Sequence, residues 1–206
     1  MTALPAPMRP LDEERTFLQQ CLDAVDVAED PAERADLAEG ISLLAARYEN
    51  VLADVFYPFL LETPENGGAV VKGQELLAQV RAAVKDMRAK TRNVKPINAH
   101  ADDAEGFEVV LGTMTSSIRD LLDFENAQLF PLVAQLSPRD EARLNGQLVE
   151  QMTHETSLPD PSDNPVLRKL AEIRETLRLA LHDESTRHHP GLDKVVDDDA
   201  GTSSSP

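Results

Sequence analysis

There is no tryptophan in this chain, and only 4% of its residues are aromatic. A core without large rings must be filled by aliphatic side chains, and leucine and alanine dominate. Glycine and β-branched residues are sparse through the middle of the chain. That combination favours helix over sheet. Cys21 has no second cysteine to pair with, which excludes an internal disulfide and suits a cytoplasmic setting. It falls on an apolar stripe and reads as a buried thiol rather than a nucleophile. No stretch approaches the roughly 18 consecutive apolar residues that cross a bilayer. Residues 1–10 are proline-rich without a long apolar centre, and read as a flexible N-terminus, neither signal peptide nor membrane anchor. Positive charge is also scarce. A net charge of −17 argues against nucleic acid or an anionic membrane surface as the main partner.

What the chain does contain is helical periodicity. A first helix is expected over residues 11–27, with Leu11, Leu18, Cys21, Leu22 and Val25 on its stripe and positions 14 and 15 unsettled. Asp30-Pro31-Ala32-Glu33 is a helix start: Asp caps, Pro suits the first turn, and Glu follows three residues after the cap. The second helix carries Leu37, Ile41, Leu44, Tyr48, Val51, Leu52, Val55 and Phe59, and breaks at Thr63 to Gly68, where Gly67-Gly68 reads as a turn. The third carries Val70, Leu77, Val80, Val84 and Met87. Its basic residues Arg81, Lys85, Arg88, Lys90, Arg92 and Lys95 suit a helix C-terminus. A polar crossover with Pro96 spans residues 93–103. The fourth helix, residues 104–136, carries Phe107, Leu111, Met114, Ile118, Leu121, Glu125, Leu129 and Leu132. One carboxylate interrupts an apolar seam. Ser137-Pro138-Arg139-Asp140 starts a further helix with Leu144, Leu148 and Met152. After a linker, Asn164-Pro165 caps a last one with Leu167, Leu170, Ile173, Leu177 and Leu181. Residues 184–206 read as a disordered acidic tail.

Two segments echo each other. Tyr48-Glu49-Asn50-Val51-Leu52 leads to Phe56-Tyr57-Pro58, and Leu121-Leu122-Asp123-Phe124-Glu125 leads to Leu129-Phe130-Pro131. Proline inside a helix costs about 3 kcal/mol or more, so two prolines after matching patterns point to two related helix pairs. These motifs resemble those of the hemerythrin-like (HHE cation-binding) family. Its members carry His-x-x-x-Glu on two helices, each Glu followed six residues later by Pro. The resemblance covers about residues 11–136. It implies an all-α, up-down four-helix bundle around a di-iron centre, here followed by two additional C-terminal helices in residues 137–183. Residues four apart share a helix face, so His and Glu would project together into the bundle.

Carried over, the family's ligand slots fall on Tyr48 and Leu52 in the second helix and on Leu121 and Glu125 in the fourth. In the third they fall on Leu77, after Gly73-Gln74-Glu75-Leu76, and in the first on Glu14, within Glu13-Glu14-Arg15. Leucine has no donor atom. Three leucines at these slots imply a centre filled with hydrocarbon, no metal and no cofactor, since di-iron needs several N or O ligands. Glu125 then either accepts a hydrogen bond from Tyr48, with Arg15 as counter-ion if the first helix runs one residue later, or lies solvated at the stripe edge. The histidines do not replace the ligands: His100 lies in the crossover, His154 in the fifth helix, and His182, His188 and His189 at or beyond the last helix. The expected function is a non-catalytic structural or interaction module, with an unknown protein partner or a second copy of the chain. The alternatives are small-ligand binding in a remnant cavity, and iron-dependent handling of oxygen, nitric oxide or peroxide.

Overall fold

A computed structural model describes residues 8–93 and 101–154, and among these residues there is no strand. The last helix proposed from the sequence, the acidic tail, and His100, His182, His188 and His189 lie outside the described residues. Helix α1 spans Arg9–Val27 and α2 spans Pro31–Val51. The chain then widens into a π-helical turn, Leu52–Phe56, and continues as α3, Tyr57–Leu61. A short 3-10 turn, Pro64–Asn66, leads into α4, Gly67–Asn93. Helix α5 spans Ala101–Phe124, followed by a second π turn, Glu125–Leu129, and by α6, Phe130–Val133. Helix α7 spans Pro138–His154. No described helix is long and apolar enough to cross a membrane.

The helix starts follow their capping residues. Asp30, in extended backbone, accepts from the Ala32 amide at 3.0 Å, with Pro31 in the first turn. Ser137 accepts from the Asp140 amide at 3.2 Å and donates to its carboxylate at 2.8 Å. Asp30→Ala is expected to cost about 1 kcal/mol, measured by denaturant unfolding, and an unchanged midpoint would count against the cap. At the far end of α1, Arg34 donates to the carbonyls of Val25 (3.0 Å) and Ala28 (3.2 Å). The orphaned carbonyls of a helix end are thus met by a side chain from the next helix.

Three boundaries differ from the sequence-based expectation. Arg9 and Pro10 belong to α1 rather than to a flexible N-terminus, and Met8 before them is buried. Gly67 and Gly68 form the first turn of α4 rather than a loop. Space around both is open, and burying Val70 and Leu77 one and three turns on draws the chain into the helix early. Residues 101–103 likewise belong to α5 rather than to the crossover. Two of the basic residues of α4 also serve differently. Arg81 pairs with the buried carboxylate of Glu49, and Arg88 donates to the Ser42 carbonyl at 3.0 Å. Arg81 lies about three turns before Asn93 and Arg88 just over one, and both tie α4 to α2. Lys95 lies outside the described residues.

The apolar stripes converge on one core. Helix α1 packs on α2, α2 on α4, α4 on α5, and α5 back on α1. Leu11, Leu18, Cys21, Leu22, Leu37, Ile41, Met87, Leu111, Met114 and Ile118 are all buried, in an interior of mainly aliphatic side chains. Such side chains contribute about 1.5–3 kcal/mol each by leaving water. Burial pushes the Cys21 thiol up to about 12, which keeps it protonated and unreactive. Helix α7 lays Leu144, Leu148 and Met152 against α1, α2 and the first π turn.

The prolines explain the two π turns. Pro58 and Pro131 have no amide hydrogen, and their rings would collide with the carbonyl four residues back. In each case the preceding residue donates one carbonyl further back than in an α-helix: Tyr57 to Leu52, and Phe130 to Glu125. The wider turn removes the collision. It also inserts one residue into the helical count. Inward positions therefore move on by one after each π turn. Val55 and Leu132, expected inside, are only partly buried, while Phe56 and Val133 take the interior.

Candidate functional site

Leu52 and Glu125 open the two π turns, 73 residues apart (125 − 52), and Pro58 and Pro131 share that offset (131 − 58). The echo in the sequence is thus an echo in backbone geometry. Leu52 and Glu125 are both fully buried, and Leu77 and Leu121 are buried as well. The residue four before Leu52 is Tyr48. Its hydroxyl donates to Glu125 Oε2 at 2.6 Å, across 77 residues of chain. Glu125 is therefore turned inward, not solvated at the edge of the stripe.

Phe56 and Phe130 meet at 6.1 Å between ring centroids, and the Arg15 guanidinium stands 5.2 Å over the Phe130 ring. Arg15 also reaches Asp12 at 3.5 Å. Glu125 Oε1 has no hydrogen-bond partner, and neither does the hydroxyl of Tyr57, which is fully buried. Burial pushes the Glu125 carboxyl up to about 8, against the Tyr48 hydrogen bond and the Arg15 charge, which both hold it down. Tyr48 lies well above the ordinary tyrosine range, first through burial and then through the Glu125 charge beside it. Tyr57 is raised by the same two causes.

No family model, curated protein or solved structure matches this chain. What the site does is decided by its own chemistry. At neutral pH Glu125 is mostly a neutral acid, and both tyrosines keep their protons. None of these groups is a base or nucleophile in that state, and none is exposed to solvent. Glu125 and Tyr48 instead form a hydrogen bond inside the protein, where the low dielectric makes it stronger than in water.

Glu14 meets Arg47 Nη2 at 3.1 Å, and both side chains are less than a tenth exposed. Arg15, one residue on, is the member of α1 whose charge reaches Glu125. Among the described residues no three His, Cys, Asp or Glu side chains converge as a metal site requires.

Two of these residues, Arg47 and Tyr57, do not stand out in the sequence. Arg47 carries a signal: it falls three after Leu44 and four before Val51, on the apolar face of α2, and an arginine there needs a buried anion. Tyr57 carries none at α-helical spacing, because the π turn is what rotates it inward.

Away from this centre, a surface cleft of about 280 Å³ runs between the first repeat and α7, lined among others by Asp54, Pro58, Phe59, Gln147 and Glu150. Arg143 stacks 4.6 Å over Phe59 beside it and pairs with Glu62 at 2.9 Å.

Proposed function

We propose that the protein is a hemerythrin-like up-down four-helix bundle that has lost its di-iron centre and serves as a non-catalytic structural or interaction module. The cyclic contacts of α1, α2, α4 and α5 support the bundle. The paired π turns before Pro58 and Pro131 support two related halves.

The observation that carries the loss of metal is the Tyr48–Glu125 hydrogen bond. It joins a position the resemblance assigns to a histidine with one it assigns to a glutamate, and so engages in a side-chain pair the two oxygen-bearing residues that stand at ligand slots on α2 and the second π turn. Leu52, Leu77 and Leu121 bring hydrocarbon to the remaining slots, and Glu14 is engaged by Arg47. A pair of irons needs several N or O ligands converging on it, and this donor set does not fit one.

With no metal to drive chemistry, the module acts through its surface, toward a protein partner or a second copy, in the cytoplasmic setting that its lone buried cysteine suits. The acidic surface disfavours nucleic acid and anionic membranes. Aerobically purified protein is expected to hold well below ~1 iron per chain by elemental analysis and to lack oxo-bridged di-iron absorption. Stoichiometric iron with that absorption would overturn the reading in favour of oxygen, nitric oxide or peroxide handling.

A further inference from the structure

The surface cleft between the first repeat and α7 has a volume of about 280 Å³. Pockets that enclose a small molecule run to about 300–1,000 Å³, so this one has room for a side chain or two and not for a larger ligand. Its lining is of two kinds. Val55, Pro58 and Phe59 give it an apolar side, and Asp54, Glu62 and Glu150 bring three carboxylates. Among the described residues no lysine or arginine lines it.

Arg143, at the edge of the cleft, shows what such a surface takes. Its guanidinium lies 4.6 Å over the Phe59 ring and donates to both carboxylate oxygens of Glu62, at 2.9 Å to Oε1. A planar guanidinium suits this arrangement better than an ammonium, because it stacks on a ring and meets a carboxylate with two parallel bonds. The other two carboxylates have no cation among the described residues. Asp54 accepts a long bond of 3.4 Å from Gln151, and Glu150 on α7 is exposed to solvent.

We propose that this cleft docks a basic segment of a protein partner through an arginine side chain, its methylenes against Val55 and Pro58 and its guanidinium toward Asp54 and Glu150. Apolar contact and charge complementarity then act on one side chain, as they do for Arg143. The net charge of −17 attracts basic partners from a distance, and the cleft fixes where they dock. Because the cleft is small, most of the affinity comes from the acidic surface around it, which favours a polypeptide over a small amine. The inference deepens the reading of the chain as an interaction module and rests on it. Iron analysis tests that reading, and a peptide titration tests this site alone.

The peptide acetyl-Gly-Arg-Arg-Gly-amide, titrated into the nitrogen-15-labelled full chain, is expected to shift the amide resonances of Asp54, Val55, Phe59, Glu150 and Gln151 and to saturate. A counterpart with citrulline in place of both arginines, close in shape but neutral, should leave them unmoved. The double variant Asp54→Asn, Glu150→Gln should bind the arginine peptide roughly 3–10-fold more weakly. Asp36→Asn, Glu39→Gln removes two carboxylates outside the cleft, and in about 0.1 M salt it should bind within about twofold of the wild type. All four positions are exposed, so neither variant disturbs the core. Shifts spread over the acidic surface without saturation, equal weakening in the two double variants, or equal binding of the citrulline peptide overturns the proposal. Putrescine carries the same two charges as the peptide, and equal or tighter binding of putrescine at the cleft assigns it to a small amine and overturns the proposal as well.

Discussion

Glu125→Gln is expected to remove most of the pH dependence of stability between about pH 4.5 and pH 8. In the folded protein the Glu125 carboxyl titrates near 8, against an ordinary 4.5, because burial disfavours its charge. Between those two values the folded state holds a proton that the unfolded state has released. Stability therefore falls as pH rises through the window and levels off once the carboxyl is charged in both states. A shift of this size corresponds to about 3–5 kcal/mol across the window. Glutamine keeps an acceptor for the Tyr48 hydroxyl and has no proton to lose. The variant should match the wild type to within about 1 kcal/mol near pH 5 and exceed it by several kcal/mol near pH 8. Urea unfolding followed by circular dichroism across this range measures it. Parallel profiles for the two proteins would mean that Glu125 is already ionised in the fold.

The buried pair Glu14–Arg47 should give the next largest effect. Removing one partner of a buried pair leaves the other charge without its counter-ion, at about 3–5 kcal/mol. Arg47→Met is thus expected to lower the melting temperature by roughly 6–20 °C. The double variant Glu14→Leu, Arg47→Met removes both charges and supplies hydrocarbon of similar volume. It should recover to within about 1 kcal/mol of the wild type. The Arg34–Glu108 pair is the control. It joins the same kinds of group at 2.6 Å, but the glutamate is half exposed. Arg34→Met also removes that residue's bonds to the α1 carbonyls, so the control is Glu108→Gln, expected to cost less than about 1 kcal/mol. Additive losses in the Glu14, Arg47 double variant would show that the two charges do not depend on each other.

Glu125 illustrates how far the residues alone carry. A single carboxylate on the seam of Leu111, Met114, Ile118 and Leu121 marks itself as anomalous, because an unpaired charge does not belong among leucines. Its echo of Leu52, and the Tyr48 of the other repeat, narrow the choice of partner. Spacing by itself leaves open whether the carboxylate points inward, since one residue of register separates the core from the stripe edge. Glu14 and Arg15 raise the same difficulty. Adjacent positions on a helix differ by about 100°, and only the packing of α1 against α2 and α5 settles that Glu14 meets Arg47 while Arg15 lies over Phe130.

The sequence by itself determined the helical class, the helix starts at Asp30 and Ser137, the aliphatic stripes and the repeat ending in Pro58 and Pro131. Each is a local property, set by capping chemistry, by 3.6-residue periodicity or by proline's missing amide. It also marked Glu125 as a buried-charge problem. Only the tertiary structure decided the rest: the π turns, the one-residue shift that brings Phe56, Tyr57 and Val133 inside, and the partners of Glu125, Glu14 and Arg81. The physical reason is common to all three. A proline marks where a helix must adjust, but which adjustment it makes, like a hydrogen bond across 77 residues, is settled by competition among packed surfaces, which no local stretch of chain contains.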